Sequence, residues 1–175
     1  MTSQISTRSA SEADVDDCFP GEAGTNWLDA DQQRAWRSYI LGTTRLLERL
    51  DRELREGHGI SLPEYEVLVR LSEADNRSLR MAELASSMSH SRSRTTHTIA
   101  RMEAAGLVER FSCDQDGRGR WATLSDKGWT LLVEAAHTHV RGVREHHVDL
   151  LTPAQFATLG DAFDEIGAKL AEPSA

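Results

Sequence analysis

Between Met81 and Leu124 the sequence changes its hydrophobic period several times in quick succession, and this limits the possible folds more than any other feature. Met81, Leu84, Ala85 and Met88 recur at helical spacing and predict a short helix. Ser89-His90 breaks that run. Ser91 then opens a second run, in which Thr95, Ile99 and Met102 form the inward stripe. The Ser91 hydroxyl suits the unpaired amides of a helix start, and Gly106 suits a helix end, where the backbone turns left-handed. Leu107–Ser112 and Arg120–Leu124 read as strands around Asp114-Gln115-Asp116-Gly117-Arg118-Gly119, whose Asp-Gly step accepts the positive backbone angles of a hairpin loop. Two short helices joined by a tight turn, with a hairpin directly after them, define a small α+β head.

Long helical patterns flank this head. From Leu28 onward, Trp36, Ile40, Thr44, Leu47, Leu50 and Leu54 form one stripe of a helix that stops near Gly57-His58-Gly59. Ser61-Leu62-Pro63-Glu64 reads as a capping box, followed by the buried stripe Tyr65, Leu68 and Leu71, and Leu79-Arg80 as a short strand. Beyond the hairpin, Ser125 opens a helix carrying Leu132, Ala136, Val140 and Val143. Thr152-Pro153 starts a last helix carrying Phe156, Leu159, Phe163, Ile166 and Leu170. The expected fold class is mainly α with a small β-hairpin wing, a winged helix-turn-helix.

Length and composition set further bounds. The chain of 175 residues suits one well-buried domain and is short for two. Residues 1–26 are acidic and poor in large apolar side chains, so a flexible tail is expected there, with one domain over 27–175. No stretch has the apolar run of a membrane span or a secretory leader, which predicts a soluble, cytoplasmic protein without membrane contact. Cys18 and Cys113 match neither a metal spacing nor a disulfide framework, as a reducing compartment allows.

The net charge of −8 argues against nucleic-acid binding until its distribution is considered. Residues 1–31 hold one base, Arg8, against seven acids, while residues 76–120 hold eight arginines (77, 80, 92, 94, 101, 110, 118 and 120) against five acids. With Thr95, Ile99 and Met102 inward, Arg94, His97, Thr98 and Arg101 are expected on an outward stripe, flanked by Ser91, Arg92, Ser93 and Thr96. Arginine grips guanine through two hydrogen bonds, and hydroxyls at a helix N-terminus suit phosphates. No carboxylate occurs from Arg92 through Met102, unlike an ordinary solvated helix. In a helix-turn-helix the second helix enters the major groove, and a wing can reach a neighbouring minor groove. The expected partner is double-stranded operator DNA.

The run MAELASSMSHSRSRTTHTIARMEAAGLVER, followed by DQDGRGRWATLSDKG, resembles the MarR family of bacterial regulators from about Leu28 to the end. The wing is the most specific part, with Asp116, Gly117, Arg118 and Gly119 where the family has Asp, a basic residue, Arg and a small residue. Gly117 is the departure, for which Arg120 is a substitute. The resemblance implies that Asp116 holds the wing by pairing with Arg118 or another arginine, and that Arg118 enters the minor groove. It also implies a homodimer whose first and last helices intertwine. This suits the long apolar stripes at about 28–57 and 126–171, which read as dimerisation helices around a winged helix-turn-helix at about 61–125. A dimer with two reading heads fits a palindromic operator with half-sites about one helical turn apart, and repression is the family's commoner habit.

The resemblance further implies release from DNA by a small aromatic or phenolic effector bound between the dimer helices and the head. Trp36, Tyr39 and Tyr65 are the wall candidates, with Arg45 or His58 to meet an anion. The plainer reading, which the residues themselves favour, makes Trp36 and Tyr65 core aromatics and Arg45 a surface charge near Glu48. A thiol switch at Cys113 is disfavoured, because the family's peroxide sensors carry their cysteine early in the first helix, near Trp36-Arg37 here. His137, His139, His146 and His147 share one helix but not one face, so no metal is expected, and no cofactor is implied. No nucleophile and base pairing or phosphate-cradling loop points to an enzyme. The competing class is a winged-helix dimer that acts as a protein-interaction module without DNA binding.

Overall fold

A computed structural model describes residues 25–88, 91–112 and 119–171, which fall into two units meeting between Ile40 and Leu41. Helix α1 (Ala30–His58) contributes to both. In the first unit its start is capped reciprocally. The Asp29 amide donates to Gln32 Oε1 at 3.0 Å and the Gln32 amide to Asp29 Oδ1 at 2.8 Å. Trp27, Leu28, Trp36, Tyr39 and Ile40 of this unit are exposed.

The second unit contains the rest of α1, then α2 (Leu62–Glu73), β1 (Ser78–Arg80), α3 (Met81–Ser87), α4 (Arg92–Ala104), β2 (Val108–Ser112), β3 (Arg120–Leu124), α5 (Asp126–His146) and α6 (Pro153–Ala171). The predicted starts and stops are local capping events. Ser61 precedes α2 with Glu64 at its third position, Ser91 caps α4, and Ser125 caps α5 by accepting the Gly128 amide at 3.0 Å. Gly106, at φ 71°, closes α4 and lets the Leu107 amide reach Met102 O at 2.9 Å.

The three strands form one antiparallel sheet in the order β1-β3-β2, with Arg80 and Phe111 both opposite Trp121. The core under it is built from Leu50 and Leu54 of α1, Leu68 and Leu71 of α2, Leu84 of α3, Ile99 and Met102 of α4, Ala122 and Leu124 of β3, and Leu132 of α5. α5 can approach β3 because position 128 is glycine. A Cβ there would collide with the Leu107 carbonyl and the Leu124 side chain.

The flanking stripes are only partly buried within the chain. Leu50 and Leu54 are buried, but Trp36, Ile40, Thr44 and Leu47 are exposed. On α5 the chain buries Leu132, Ala135 and Gly142, packs Val143 against the core and leaves Val140 54% exposed. α6 buries none of its residues, and Phe156, Phe163, Ile166 and Leu170 are all exposed. Among the described residues no helix is long and apolar enough to cross a membrane.

Candidate nucleic-acid interface

α4 begins where Ser91, in extended conformation, turns its hydroxyl back to accept the Arg94 amide at 3.2 Å. Thr95, Thr98, Ile99 and Met102 are buried. The burial of Thr98 corrects its predicted outward place. At three residues from Thr95 and four from Met102, it falls inside the inward stripe. The exposed face comprises Arg92, Ser93, Arg94, Thr96, His97 and Arg101. Thr96 gives its hydroxyl hydrogen to Arg92 O at 2.8 Å, leaving its oxygen lone pairs to accept from solvent or a ligand.

The fold divides the arginines of the basic stretch into two groups. Arg77 lies over the Trp129 ring at 4.2 Å and 3.7 Å from Asp126. Arg80 lies over Trp121 at 5.3 Å, and Phe111 stacks on the same indole at 6.2 Å. Arg110 grips Glu103 through Nε at 2.8 Å and also through Nη2. That hydrogen bond holds the Glu103 carboxyl below the usual carboxylate range. Arg101 points its Nη2 at Glu64 Oε1, 3.2 Å away on α2. Arg92, Arg94 and Arg120 remain exposed, without an ion pair to any described residue. Arg120 stands opposite Ser112 in the last strand pair before the wing loop. Asp116 and Arg118, predicted at the wing tip, lie outside the described residues, as do Cys18 and Cys113.

The predicted effector residues fall into separate settings. Trp36 and Tyr39 pair with each other in the first unit, ring centroids 5.7 Å apart. Arg45 is exposed. In the second unit Tyr65 is buried with its ring 4.5 Å from that of His139, and burial pushes its hydroxyl pKa up. His58 Nε2 lies 2.9 Å from Thr138 Oγ1, on the residue next to His139. His139 Nδ1 is buried without a hydrogen-bond partner among the described residues, and burial lowers the pKa of the ring. His146 faces α1, its Nε2 2.8 Å from Glu53 Oε1.

The sequence profile of the MarR family matches residues 60–119, the stretch from the start of α2 to the residue before β3. Among solved structures, Sco3205 from Streptomyces coelicolor, a MarR family transcriptional regulator determined in complex with DNA, is 42% identical. The match covers 85% of this chain and 96% of that one at a TM-score of 0.81. The chain belongs to the MarR family. AbsC, a MarR family regulator from the same organism, is 37% identical over 85% of this chain and 100% of its own, at a TM-score of 0.80. BldR from Sulfolobus solfataricus, 22% identical, shares the fold at a TM-score of 0.68. No curated protein matches in sequence.

Within this MarR fold, sequence reasoning missed three features of the site. Glu64 was read only as a helix cap, yet it also receives Arg101. Glu103 and Arg110 were counted as opposite charges and not as a pair. His139 was weighed as a metal ligand, yet its ring packs tilted against that of Tyr65. The spacing of Glu103 and Arg110, bridging the α4 end and β2, was the one available signal.

Proposed function

We propose that the protein is a sequence-specific DNA-binding transcriptional regulator, a ligand-responsive repressor that holds a palindromic operator as a homodimer. The observation that carries this reading is the exposed start of α4. Arg92, Ser93, Arg94, Thr96 and His97 surround a capped helix N-terminus with no carboxylate among them, and Arg120, in no ion pair with a described residue, adds a cation at the loop end of the wing strands. A helix start with its dipole and amides favours phosphate, and the arginine and histidine donors beside it suit base edges. The complex of Sco3205 with DNA supports the same use of this fold. Asp116 and Arg118 take the wing-tip role by resemblance.

The homodimer draws support from the exposed apolar face of α6 together with Leu47 and Val140. Each such side chain gains about 1.5–3 kcal/mol when covered. The effector proposed is a small aromatic or phenolic compound, for which Tyr65 and His58 remain candidates in the second unit and Trp36, Tyr39 and Arg45 along α1.

The test is fluorescence anisotropy with DNA fragments from upstream of the protein's own gene, titrated at several salt concentrations. Tight binding to one fragment, weakening steeply as salt rises, is the expected result. Absence of salt-dependent binding to any fragment would refute it in favour of a protein-interaction module.

A further inference from the structure

We propose that Arg101 is a positioning residue that clamps the recognition helix to α2, so that base reading is confined to Arg92–His97. The proposal rests on the DNA-binding reading above. Helix periodicity alone sets Arg94, His97 and Arg101 on one face, which would make all three equivalent readers. The structure separates them. Arg94 and His97 are exposed with no ion pair to a described residue, whereas the Arg101 guanidinium lies 3.2 Å from Glu64 Oε1.

The partner is itself tightly held. The Glu64 side chain is 14% exposed, and its other oxygen accepts the Ser61 amide at 2.8 Å and the Ser61 hydroxyl at 2.6 Å. The adjoining Leu62 amide donates to Asp51 Oδ1 of α1 at 2.8 Å, and Arg55 holds the other oxygen of Asp51 at 2.6 Å. The start of α2 is thus pinned from α1 by Asp51 and to α4 by Arg101. Turning Arg101 towards a base would leave a mostly desolvated carboxylate without its cation, an unfavourable exchange that Arg92 and Arg94 do not face. Position along the helix agrees. Arg101 lies about 10 Å further along the axis than Arg94, in the last turn, whereas recognition helices contact bases chiefly through their N-terminal residues.

Anisotropy titrations of the full-length protein against its upstream fragment, and against a panel of single base-pair substitutions in that fragment, test this. Arg101→Ala and Glu64→Gln should each weaken binding about five- to tenfold, by the same factor across the panel, with the double variant no weaker than the worse single one. Arg101→Lys, which keeps the charge opposite Glu64 but not a bidentate guanine contact, should recover most of the affinity. Arg94→Ala should instead flatten the preference at particular base pairs. If Arg101→Ala flattens one position while Glu64→Gln does not, or if both variants bind like the parent, the clamp is overturned. Thermal melting of the same single and double variants reads the clamp without DNA. Additive losses there would overturn it too, whereas coupled losses in a protein that binds no fragment would sink only the DNA-binding reading.

Discussion

Helices α4 and α6 are both amphipathic and differ in where their apolar side chains end up. α4, the more polar of the two, buries Thr95, Thr98, Ile99 and Met102 within its own chain and turns a polar face outward. α6 is the more apolar, yet it buries none of its residues, with Leu170 at 79% exposure. A helix whose apolar stripe is consumed by its own core has its polar face free for an external partner. A helix whose apolar stripe stays open needs a second surface to cover it. On the proposed function, the two helices separate the parts of a regulator, one offered to DNA and the other to a second copy of the chain.

The sharpest way to break this contrast is to charge the open face. Phe163→Glu with Ile166→Glu should convert the dimer to monomer in light scattering and lower operator affinity about a hundredfold or more, because each head alone then binds a half-site. An unchanged molecular mass would remove α6 from the interface. Next in size, Ile99→Ala in the closed face should cost about 2–5 kcal/mol of stability in denaturant unfolding, since it empties a fully buried position. The equivalent change Ile166→Ala should cost little within one chain and show its effect only as protein concentration is lowered. Arg94→Ala should leave the unfolding midpoint unchanged and cost about 1–3 kcal/mol in operator binding, with relaxed base preference.

The smallest expected effect sharpens the comparison through pH. Burial lowers the His139 pKa from its ordinary 6.5, so the unfolded chain takes up the proton first as pH falls. The stability associated with the neutral ring is complete above about 6.5 and is lost as pH falls towards the folded-state value. Melting temperature should therefore drop between pH 7.5 and 5.5, and His139→Gln should shallow that drop. An equally steep drop in the variant would assign it to other groups.

What could be read from sequence followed the range of the interactions. Ser61, Ser91, Ser125 and Gly106 fixed the ends of α2, α4 and α5 where expected, because a cap acts on amides and carbonyls within one turn of itself. The inward stripe of α4 was legible for Thr95, Ile99 and Met102. Thr98, expected outward, lies three residues from Thr95 and four from Met102 and so shares their buried face. The inward face of α5 was legible only in part. Ala135 and Gly142 are small and carry little hydrophobic signal, yet both are buried, and a Cβ at position 142 would collide with Leu50 and Glu53 of α1.

The amino-acid sequence by itself determined the order of elements, the capped and carboxylate-free start of α4, and the concentration of arginines around it. Only the tertiary structure decided which of those arginines are available. Arg77, Arg80, Arg101 and Arg110 are engaged by Trp129, Trp121, Glu64 and Glu103, and Arg92, Arg94 and Arg120 are left exposed. The physical reason is that charge is a property of a residue, whereas its availability depends on the rings and carboxylates that the fold brings within about 4–6 Å.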